Sequence, residues 1–270
     1  VLFLVIPNQL PKQRARLLFE EFQYAWERTS TSEKKRWAKQ SLKLFGKVTF
    51  RRGRGLILAM ISLFKIAGKE TINFGISIYN KKGKLYLKDK KEELFSTIKN
   101  GSKKSRDVSK NIYKVLKKKP KEIGPIMFLG ILGFFCGSGG FDGDGGVPDL
   151  DITFGGIGNH RSIFFHSIIS AAVLETIIFS SVNAINILHS KLPENHDSFW
   201  DKVVNKNDWA KAFTMGACTG ITYHLLIDGT IQGNKALADF PIKGMPMEFH
   251  NSFFITNAAA EGLDINKKEI

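Results

Sequence analysis

The charged residues of this chain are divided unevenly between its two halves, and this division limits the folds open to it. Residues 1–121 carry 31 Lys and Arg against 9 Asp and Glu, whereas residues 122–270 carry 9 against 16. The net charges are therefore +22 and −7. Because the mean hydropathy of the whole chain averages two unlike parts, it does not exclude membrane-spanning segments in the second part.

Three apolar segments follow the basic part. A helix needs about 20 apolar residues to cross a bilayer, so the second segment is long enough and the other two are marginal. The dense Lys and Arg block directly precedes the first segment, as the positive-inside rule expects of a cytoplasmic flank. We therefore favour membrane helices over a buried soluble core, with the basic part in the cytoplasm. The segments and their formal charges are 123–141 with none, 162–190 with Glu175, and 209–231 with Lys211 and Asp228.

The basic part is predicted to be mostly helical. Apolar residues at helical spacing predict amphipathic helices over 11–29, from Ser32 through Phe45, and over 92–121, where a proline ends the last one. The apolar run at 55–67 is too short to cross a bilayer and indicates a core or interfacial helix. Residues 78–87 alternate around a glycine-containing turn, which predicts a small β-hairpin.

The charge of the basic part indicates an anionic partner. A net charge of +22 over 121 residues suits anionic lipid headgroups or nucleic acid, and charge alone does not distinguish them. The polybasic helix adjoins an apolar segment, which favours lipid headgroups. Nucleic acid and a protein partner remain alternatives, and binding that falls steeply with salt in the absence of lipid would indicate nucleic acid.

Groups able to bind a metal ion are concentrated in two stretches of the second half. The first, 137–167, is rich in Gly and Asp, and two histidines follow as the chain turns apolar. In the second, 224–240, His224 and Asp228 are four residues apart and so project from one helix face. Carboxylates and imidazoles on converging elements suit a divalent ion that activates water. The candidate residues are Asp142, Asp144, Asp149, Asp151, His160, His166, His224 and Asp228.

The predicted topology places these candidates together. If the segment 123–141 crosses outward, the Asp-rich loop lies at the far membrane face. The next segment then begins at that face with His166, and the third returns to it with His224 and Asp228. Taken singly, the aspartates also suit capping or loop positions, and His166 also suits a hydrogen-bonded core position. Within a membrane span, however, an ionisable residue indicates a functional site because its desolvation is costly.

The ligand types favour particular ions. Histidines favour zinc or manganese. The sequence DGDGGVPDLD is also similar to aspartate-rich calcium loops, so a calcium site at Asp142, Asp144, Asp149 and Asp151 stays open. An EF-hand is excluded, because Val147 stands where that loop requires glycine.

The remaining histidines and the cysteines are assigned no site. His189, His196 and His250 lack partners at helical spacing, and we interpret them as surface residues or as supports of the ligands. Cys136 and Cys218 lie in apolar runs, which indicates small buried side chains rather than a disulfide. The opening residues, VLFLVIP, lack the basic flank of a signal peptide.

The two ligand-rich stretches resemble a known family, the YdjM-like bacterial inner-membrane metal-dependent hydrolases. The shared pattern is Pro-Asp-x-Asp, then His-Arg with a following His-Ser, then His-x-x-x-Asp running into Thr-x-x-Gly and Phe-Pro. The resemblance covers roughly the second half of the chain and implies a multi-span membrane protein with a metal site. The His160 to His166 spacing is one residue longer than in the family pattern, and Ser162 stands where that pattern has glycine. The matching residues are Pro148, Asp149, Asp151, His160, Arg161, His166, Ser167, His224, Asp228, Thr230, Gly233, Phe240 and Pro241.

The sequence therefore predicts a mainly α fold in two parts. A basic, mostly helical region with a small hairpin occupies residues 1–121, and a membrane-embedded helical bundle carrying a metal site occupies 122–270. The predicted location is the inner membrane, multi-pass, with the basic part cytoplasmic. The predicted metal ligands are Asp149, Asp151, His160, His166, His224 and Asp228.

The predicted function is metal-assisted hydrolysis of a phosphoester or ester in a lipid or lipid-linked substrate. Of Asp149, Asp151 and Asp228, whichever is not a direct ligand would act as general base. Arg161 would bind a substrate phosphate or carboxylate, or orient one of the aspartates. The alternative is a non-enzymatic, membrane-perturbing or structural bundle whose Asp- and Gly-rich loop only binds an ion.

Overall fold

The computed structural model describes residues 11–156, 160–231, 233, 236–239 and 242–267. These residues form α-helices, a short 3-10 turn at Ile242–Gly244 and no β-strand, so the prediction of a mainly α fold is confirmed. The opening VLFLVIP, and Phe240 and Pro241 of the family pattern, lie outside the described residues. The helices are α1 (Pro11–Arg28), α2 (Thr31–Tyr79), α3 (Gly83–Lys118), α4 (Pro120–Ser138), α5 (Leu150–Gly155), α6 (Ile168–His189), α7 (Phe199–Val203), α8 (Asn207–Gly229) and α9 (Met247–Lys267).

The β-hairpin predicted for residues 78–87 is wrong, because the chain forms a helical hairpin there. α2 ends and α3 begins within this segment. The Tyr86 hydroxyl donates to Glu70, which also accepts from Lys90 Nζ at 3.0 Å, and the Phe74 and Tyr86 rings pack 5.8 Å apart. The alternation that suggested strands covers too few residues to outweigh the helical periodicity on both sides of the turn.

α2 is longer than the sequence indicated. The helix predicted from Ser32 through Phe45 continues without a break through the apolar run at 55–67. It also begins earlier, because Ser30 is its N-cap. The Ser30 hydroxyl accepts from the Glu33 N–H at 3.2 Å, and the Glu33 carboxylate accepts from the Ser30 N–H at 2.9 Å. This reciprocal capping box fixes the start of the helix.

Buried charges join α2 to the second part of the chain. The Arg52 side chain is 1% exposed, donates to Glu261 on α9, and lies 2.6 Å from Glu175, the one formal charge of α6. Arg51 bonds Glu175 at 2.8 Å and Asp264 on α9 at 2.7 Å. A charge in an apolar interior must be paired to persist, so these contacts explain how Glu175 is accommodated. They also pack α2 against α6 and α9.

Glycines bring α4 and α8 into backbone contact. A Cβ atom added at Gly216 would collide with the Gly130 carbonyl, and one added at Gly220 would collide with the Phe134 carbonyl. Small residues spaced four apart permit this close approach, which is typical of helices that pack in membranes. The contact holds the end of α4 beside the last turns of α8, where His224 and Asp228 lie.

Of the described helices, α4 and α6 are long and apolar enough to cross a membrane. Only 17% and 33% of their apolar windows are buried, so their apolar surfaces are largely exposed. α8, predicted as a third crossing, does not meet the same standard and carries Lys211, His224 and Asp228 among its apolar residues. It lies inside the bundle, where its Ile221 and Leu225 are fully buried.

Candidate metal centre

The glycine-rich loop folds back onto the end of α4. The Val147 N–H donates to the Cys136 carbonyl at 2.9 Å, which closes the loop across the last turn of the helix. Gly139 and Gly146 both have a φ of +78°, in the left-handed region that favours glycine, and a Cβ at Gly146 would collide with the Gly139 backbone. The glycines thus let the chain return closely enough to place Asp149 over the last turns of α8.

Four side chains from three parts of the chain converge at this point, and we call them the central cluster: Asp149, His166, His224 and Asp228. His166 Nε2 lies 3.5 Å from Asp149 Oδ1 and 3.7 Å from Asp228 Oδ2. His224 Nε2 lies 3.7 Å from the same oxygen of Asp149 and 3.4 Å from that of Asp228. Tetrahedral zinc with bonds of about 2.1 Å separates its ligands by about 3.4 Å. The four histidine–carboxylate distances are close to this spacing.

Hydrogen-bond partners behind the two imidazoles turn their Nε2 atoms toward the cluster. His224 Nδ1 lies 3.4 Å from the Ser138 carbonyl, which only accepts, so Nδ1 carries the proton. His166 Nδ1 lies 3.3 Å from Asp151 Oδ2, although the alignment is poor for a hydrogen bond. A carbonyl or carboxylate behind the ring is the usual support of a metal-binding histidine, because it leaves the Nε2 lone pair facing the ion.

Several buried atoms of the cluster have no hydrogen-bond partner. Asp149 Oδ1, Asp228 Oδ2 and His166 Nε2 are inaccessible to solvent and unbonded, and so is Arg161 Nε beside them. Leaving a buried polar group unsatisfied costs about 1–3 kcal/mol. The two carboxylate oxygens are acceptors, and so is His166 Nε2 when the proton of that ring is on Nδ1. These acceptor atoms are directed at one another. A cation among them satisfies all of them, so these residues fit a divalent ion.

Asp151 and His160 lie beside the cluster. Asp151 is buried, accepts from the Ser162 N–H at 2.9 Å, and places its other oxygen 3.2 Å from His160 Nδ1. His160 Nδ1 is also 3.5 Å from Asp149 Oδ1. Together with Asp149 and His166, His160 forms a second group, overlapping the first, that could hold an ion.

Arg161 is held in a strained conformation next to the cluster. Its φ is +69°, which costs a non-glycine residue roughly 1–2 kcal/mol. Its carbonyl accepts from the Ala238 N–H at 3.1 Å, and its Nε lies 3.9 Å from Asp228 Oδ1. Strained backbone tends to occur at functional sites, where the surrounding structure maintains it. Here the strain directs a guanidinium toward the cluster.

The two aspartates of the loop and of α5 are ionised at neutral pH. Burial alone would raise the pKa of Asp149. The contacts with His166 and His224 and the hydrogen bond from the Gly145 N–H outweigh that effect and lower the pKa below its usual value. Burial also acts to raise the pKa of Asp151. The contact with His166 and the hydrogen bonds with the Ser162 N–H and His160 outweigh burial and hold this pKa well below its usual value. Both groups are therefore available as anionic ligands or acceptors.

Not every candidate joins the cluster. Asp142 and Asp144 are exposed, and Asp142 Oδ1 accepts from the Asp144 N–H at 3.3 Å. Neither belongs to a possible metal group in the described part of the chain. Of the two interpretations of His250, the surface position is wrong, because the residue is fully buried. Its Nδ1 accepts from the Leu237 N–H and its Nε2 donates to the Met245 carbonyl, both at 3.1 Å, so it fixes the segment before α9.

The cysteines and the other histidines have simple surroundings. Cys136 and Cys218 form no disulfide, as predicted, and Cys218 is buried beside Arg52. His189 and His196 have a common partner that helical spacing did not reveal, because both contact Asp201 in α7.

Two residues that position the site were not among the sequence candidates. Asp239 accepts from the Ile163 N–H, and Asn257 on α9 accepts from the Ile168 N–H at 3.1 Å. Together they hold the segment between His160 and α6, and therefore the ring of His166. Each partner lies 76 or 89 residues away in the chain, so local spacing contained no signal for it.

Comparisons of the chain with models of protein families, with curated proteins and with solved structures found no match. The resemblance to the YdjM-like hydrolases therefore remains a prediction carried by the matching residues. Among these, Asp149, His166, His224 and Asp228 make up the central cluster, and Asp151, His160 and Arg161 adjoin it.

Proposed function

We propose that this protein is a membrane-bound, metal-dependent hydrolase of the YdjM-like kind, with its ion held by the central cluster. The observation that carries the proposal is the set of buried, unbonded acceptor atoms, together with histidine–carboxylate distances close to those between ligands of tetrahedral zinc. The largely exposed apolar surfaces of α4 and α6 support crossings of the bacterial inner membrane. Because α2 packs along α6 through Arg52 and Glu175, the portion of the basic part that would be cytoplasmic is the Lys- and Arg-rich α3, next to the start of α4, and the cluster would lie near the opposite face.

The ligand set favours zinc, with manganese second. Two imidazoles and two carboxylates suit a borderline transition ion better than calcium, which prefers oxygen ligands alone. Calcium at Asp142, Asp144, Asp149 and Asp151 is disfavoured, because Asp142 and Asp144 are exposed and contact each other. When bound, the ion would lower the pKa of a water molecule and polarise the scissile group.

The residues around the cluster suit the remaining tasks of hydrolysis. Asp151 orients His166 and accepts from His160 Nδ1, which leaves His160 Nε2 to take a proton as general base. All three aspartates then bind the ion or orient a histidine. We therefore assign the role of general base to His160 instead of an aspartate. Arg161 would bind the anionic group of the substrate, since a guanidinium matches phosphate and carboxylate geometry.

The location of the cluster indicates the substrate class. It lies where α4 and α8 end and just before α6 begins, close to the ends of both candidate membrane helices. A phosphoester or ester at the level of lipid headgroups would reach this position. We therefore propose a lipid or lipid-linked substrate whose anionic group faces Arg161.

The basic part would serve as a membrane-surface element. On α3, the side chains of Leu94, Val108, Ile112 and Val115 lie on one face, are exposed, and are interspersed with lysines. A helix with an apolar stripe and a strongly basic polar face binds anionic bilayers. Nucleic acid is the alternative partner, and binding to it would fall steeply with salt in lipid-free detergent.

The second candidate is a non-enzymatic protein in which the bound ion has a purely structural role. Four protein atoms complete a tetrahedron, as in structural zinc sites, whereas a catalytic site keeps a position open for water. Asp228 is the ligand best placed to yield that position, because its other oxygen faces Arg161 at 3.9 Å. The two functions therefore differ in what Asp228 does.

The test is hydrolysis of a panel of phosphoesters and lipid esters by metal-loaded protein in detergent. We expect Asp228→Asn to lower the rate at least ~100-fold while the protein stays folded, because a ligand and the Arg161 partner are both lost. Asp142→Asn, which alters an exposed aspartate of the same region, is the matched control and should keep full activity. An inactive wild type combined with an unfolded Asp228→Asn would favour the structural role.

A further inference from the structure

A second group of possible ligands lies at the other end of α6. His189 is the last residue of α6, His196 lies in the following loop, and Asp201 lies in α7. The Nε2 atoms of His189 and His196 are 2.8 and 3.1 Å from the same oxygen, Asp201 Oδ1. The two rings are 5.3 Å apart at 81°. The three side chains thus direct their ligand atoms at a single point.

In its neutral form, the His196 ring would present a lone pair to the Asp201 carboxylate. His196 Nδ1 lies 2.8 Å from the Pro193 carbonyl, which only accepts, so Nδ1 carries a proton. In the neutral ring, Nε2 then bears a lone pair that faces the Asp201 carboxylate at 3.1 Å. Two acceptors at this distance repel each other unless a positive charge lies between them. That charge is either a second proton on His196 or a cation.

The backbone that carries these side chains is firmly anchored to α1. Glu21 of α1 accepts from the Asp197 N–H at 2.7 Å and from the Trp200 indole N–H at 2.8 Å. Arg14 forms an ion pair with Asp197 at 2.7 Å. Trp200, which precedes Asp201 in α7, is buried. The loop therefore holds His196 in place before any ion arrives, which reduces the entropy lost on binding.

We propose that His189, His196 and Asp201 form a second metal site, which binds a divalent transition ion such as zinc. Two imidazole nitrogens and one carboxylate oxygen are ligands that zinc, nickel and copper accept and that calcium and magnesium do not favour. The Asp201 side chain is 58% exposed, so water reaches the group and completes the coordination. Three protein ligands with an accessible remaining position also resemble an exchangeable site more than a closed structural one.

This site is separate from the central cluster. α6 has 22 residues and so places about 33 Å between its two ends, with His166 just before one end and His189 at the other. One ion cannot bridge this distance. The second site also does not depend on the hydrolase proposal, because none of its residues contacts the central cluster. If α6 crosses the membrane, the protein presents one metal site at each face.

The test measures zinc binding to the full, tag-free chain in detergent. The first step removes the central cluster with Asp149→Asn and His224→Ala, leaving the second site intact. In this background we expect one zinc ion per chain. His189→Gln or His196→Gln should weaken its binding at least tenfold, because a direct ligand is lost. Asp208→Asn, an exposed carboxylate at the start of α8, is the control and should leave zinc binding unchanged.

Two results would overturn the second site. One is a folded background protein, with native helix content by circular dichroism, that binds no zinc, which would mean that a proton holds the group together. The other is zinc binding that neither glutamine variant weakens. If the background protein does not fold, the same comparison is made in the wild type. There, His189→Gln must lower the number of bound zinc ions by one, and an unchanged number refutes the site.

Discussion

Replacing Arg52 with methionine should destabilise the whole bundle. Arg52 is 1% exposed and bonds Glu261 on α9 and Glu175 on α6 through its two terminal nitrogens. Methionine fills a similar volume but removes the charge and both donors. Two carboxylates, 0% and 5% exposed, then lose a cation that compensates them. Arg51 still contacts Glu175 at 2.8 Å, so the larger effect falls on Glu261.

The size of the effect follows from the burial of the pair. Two unit charges 4 Å apart attract by about 4 kcal/mol at an effective dielectric constant of 20. Removing one partner of a buried pair costs about 3–5 kcal/mol in measured cases. We therefore expect Arg52→Met to lower the free energy of unfolding by about 3–5 kcal/mol. Arg54→Met, at an exposed position two residues away, should change it by less than about 0.5 kcal/mol.

Thermal unfolding in detergent, followed by tryptophan fluorescence, measures the difference. For a chain of this size the expected loss lowers the midpoint by about 10 °C. The double variant Arg52→Met with Glu261→Met should recover much of the loss, because a buried ion pair replaced as a whole costs little. Equal midpoints for Arg52→Met and Arg54→Met would refute the reasoning. A double variant as unstable as the sum of its single variants would refute the pairing.

Two further predictions concern the packing and the topology. Gly220→Ala should separate α4 from α8 and weaken metal binding, because its Cβ meets the Phe134 carbonyl; Gly124→Ala on α4, with open space around it, should not. Thermal unfolding and metal content together test both variants. A cysteine at Asp107 on α3 should react with a membrane-impermeant reagent only from the cytoplasmic side, and one at Asp142 only from the opposite side. Reaction of both from one side would contradict the membrane geometry.

The features that the sequence predicted well are local. The spacing of apolar residues indicated α1, and the proline at 120 indicated the break between α3 and α4. His224 and Asp228 were recognised because four residues on one helix bring two side chains together. The apolar run from residue 123 and the glycines after it indicated α4 and the loop that follows it. Each of these signals lies within a few residues of the feature it predicts.

The features that it missed depend on long-range packing. Short alternation around residues 78–87 suggested strands, but the flanking helices packed against each other through Glu70 and Tyr86. His250 gave no sign of burial, because its partners Leu237 and Met245 belong to an irregular segment. The pairing of Arg52 with α6 and α9 joins residues more than 120 positions apart. No periodicity within either part of the chain encodes such a contact.

The most direct test of the central cluster is the metal content of the purified chain. Wild type, His224→Ala and Asp142→Asn are purified without chelator or affinity tag, and their bound metal is measured by mass spectrometry. We expect His224→Ala to lose one ion per chain, because His224 Nε2 faces both carboxylates of the cluster, whereas Asp142→Asn should match the wild type. A folded His224→Ala protein with as much bound metal as the wild type would contradict the central cluster.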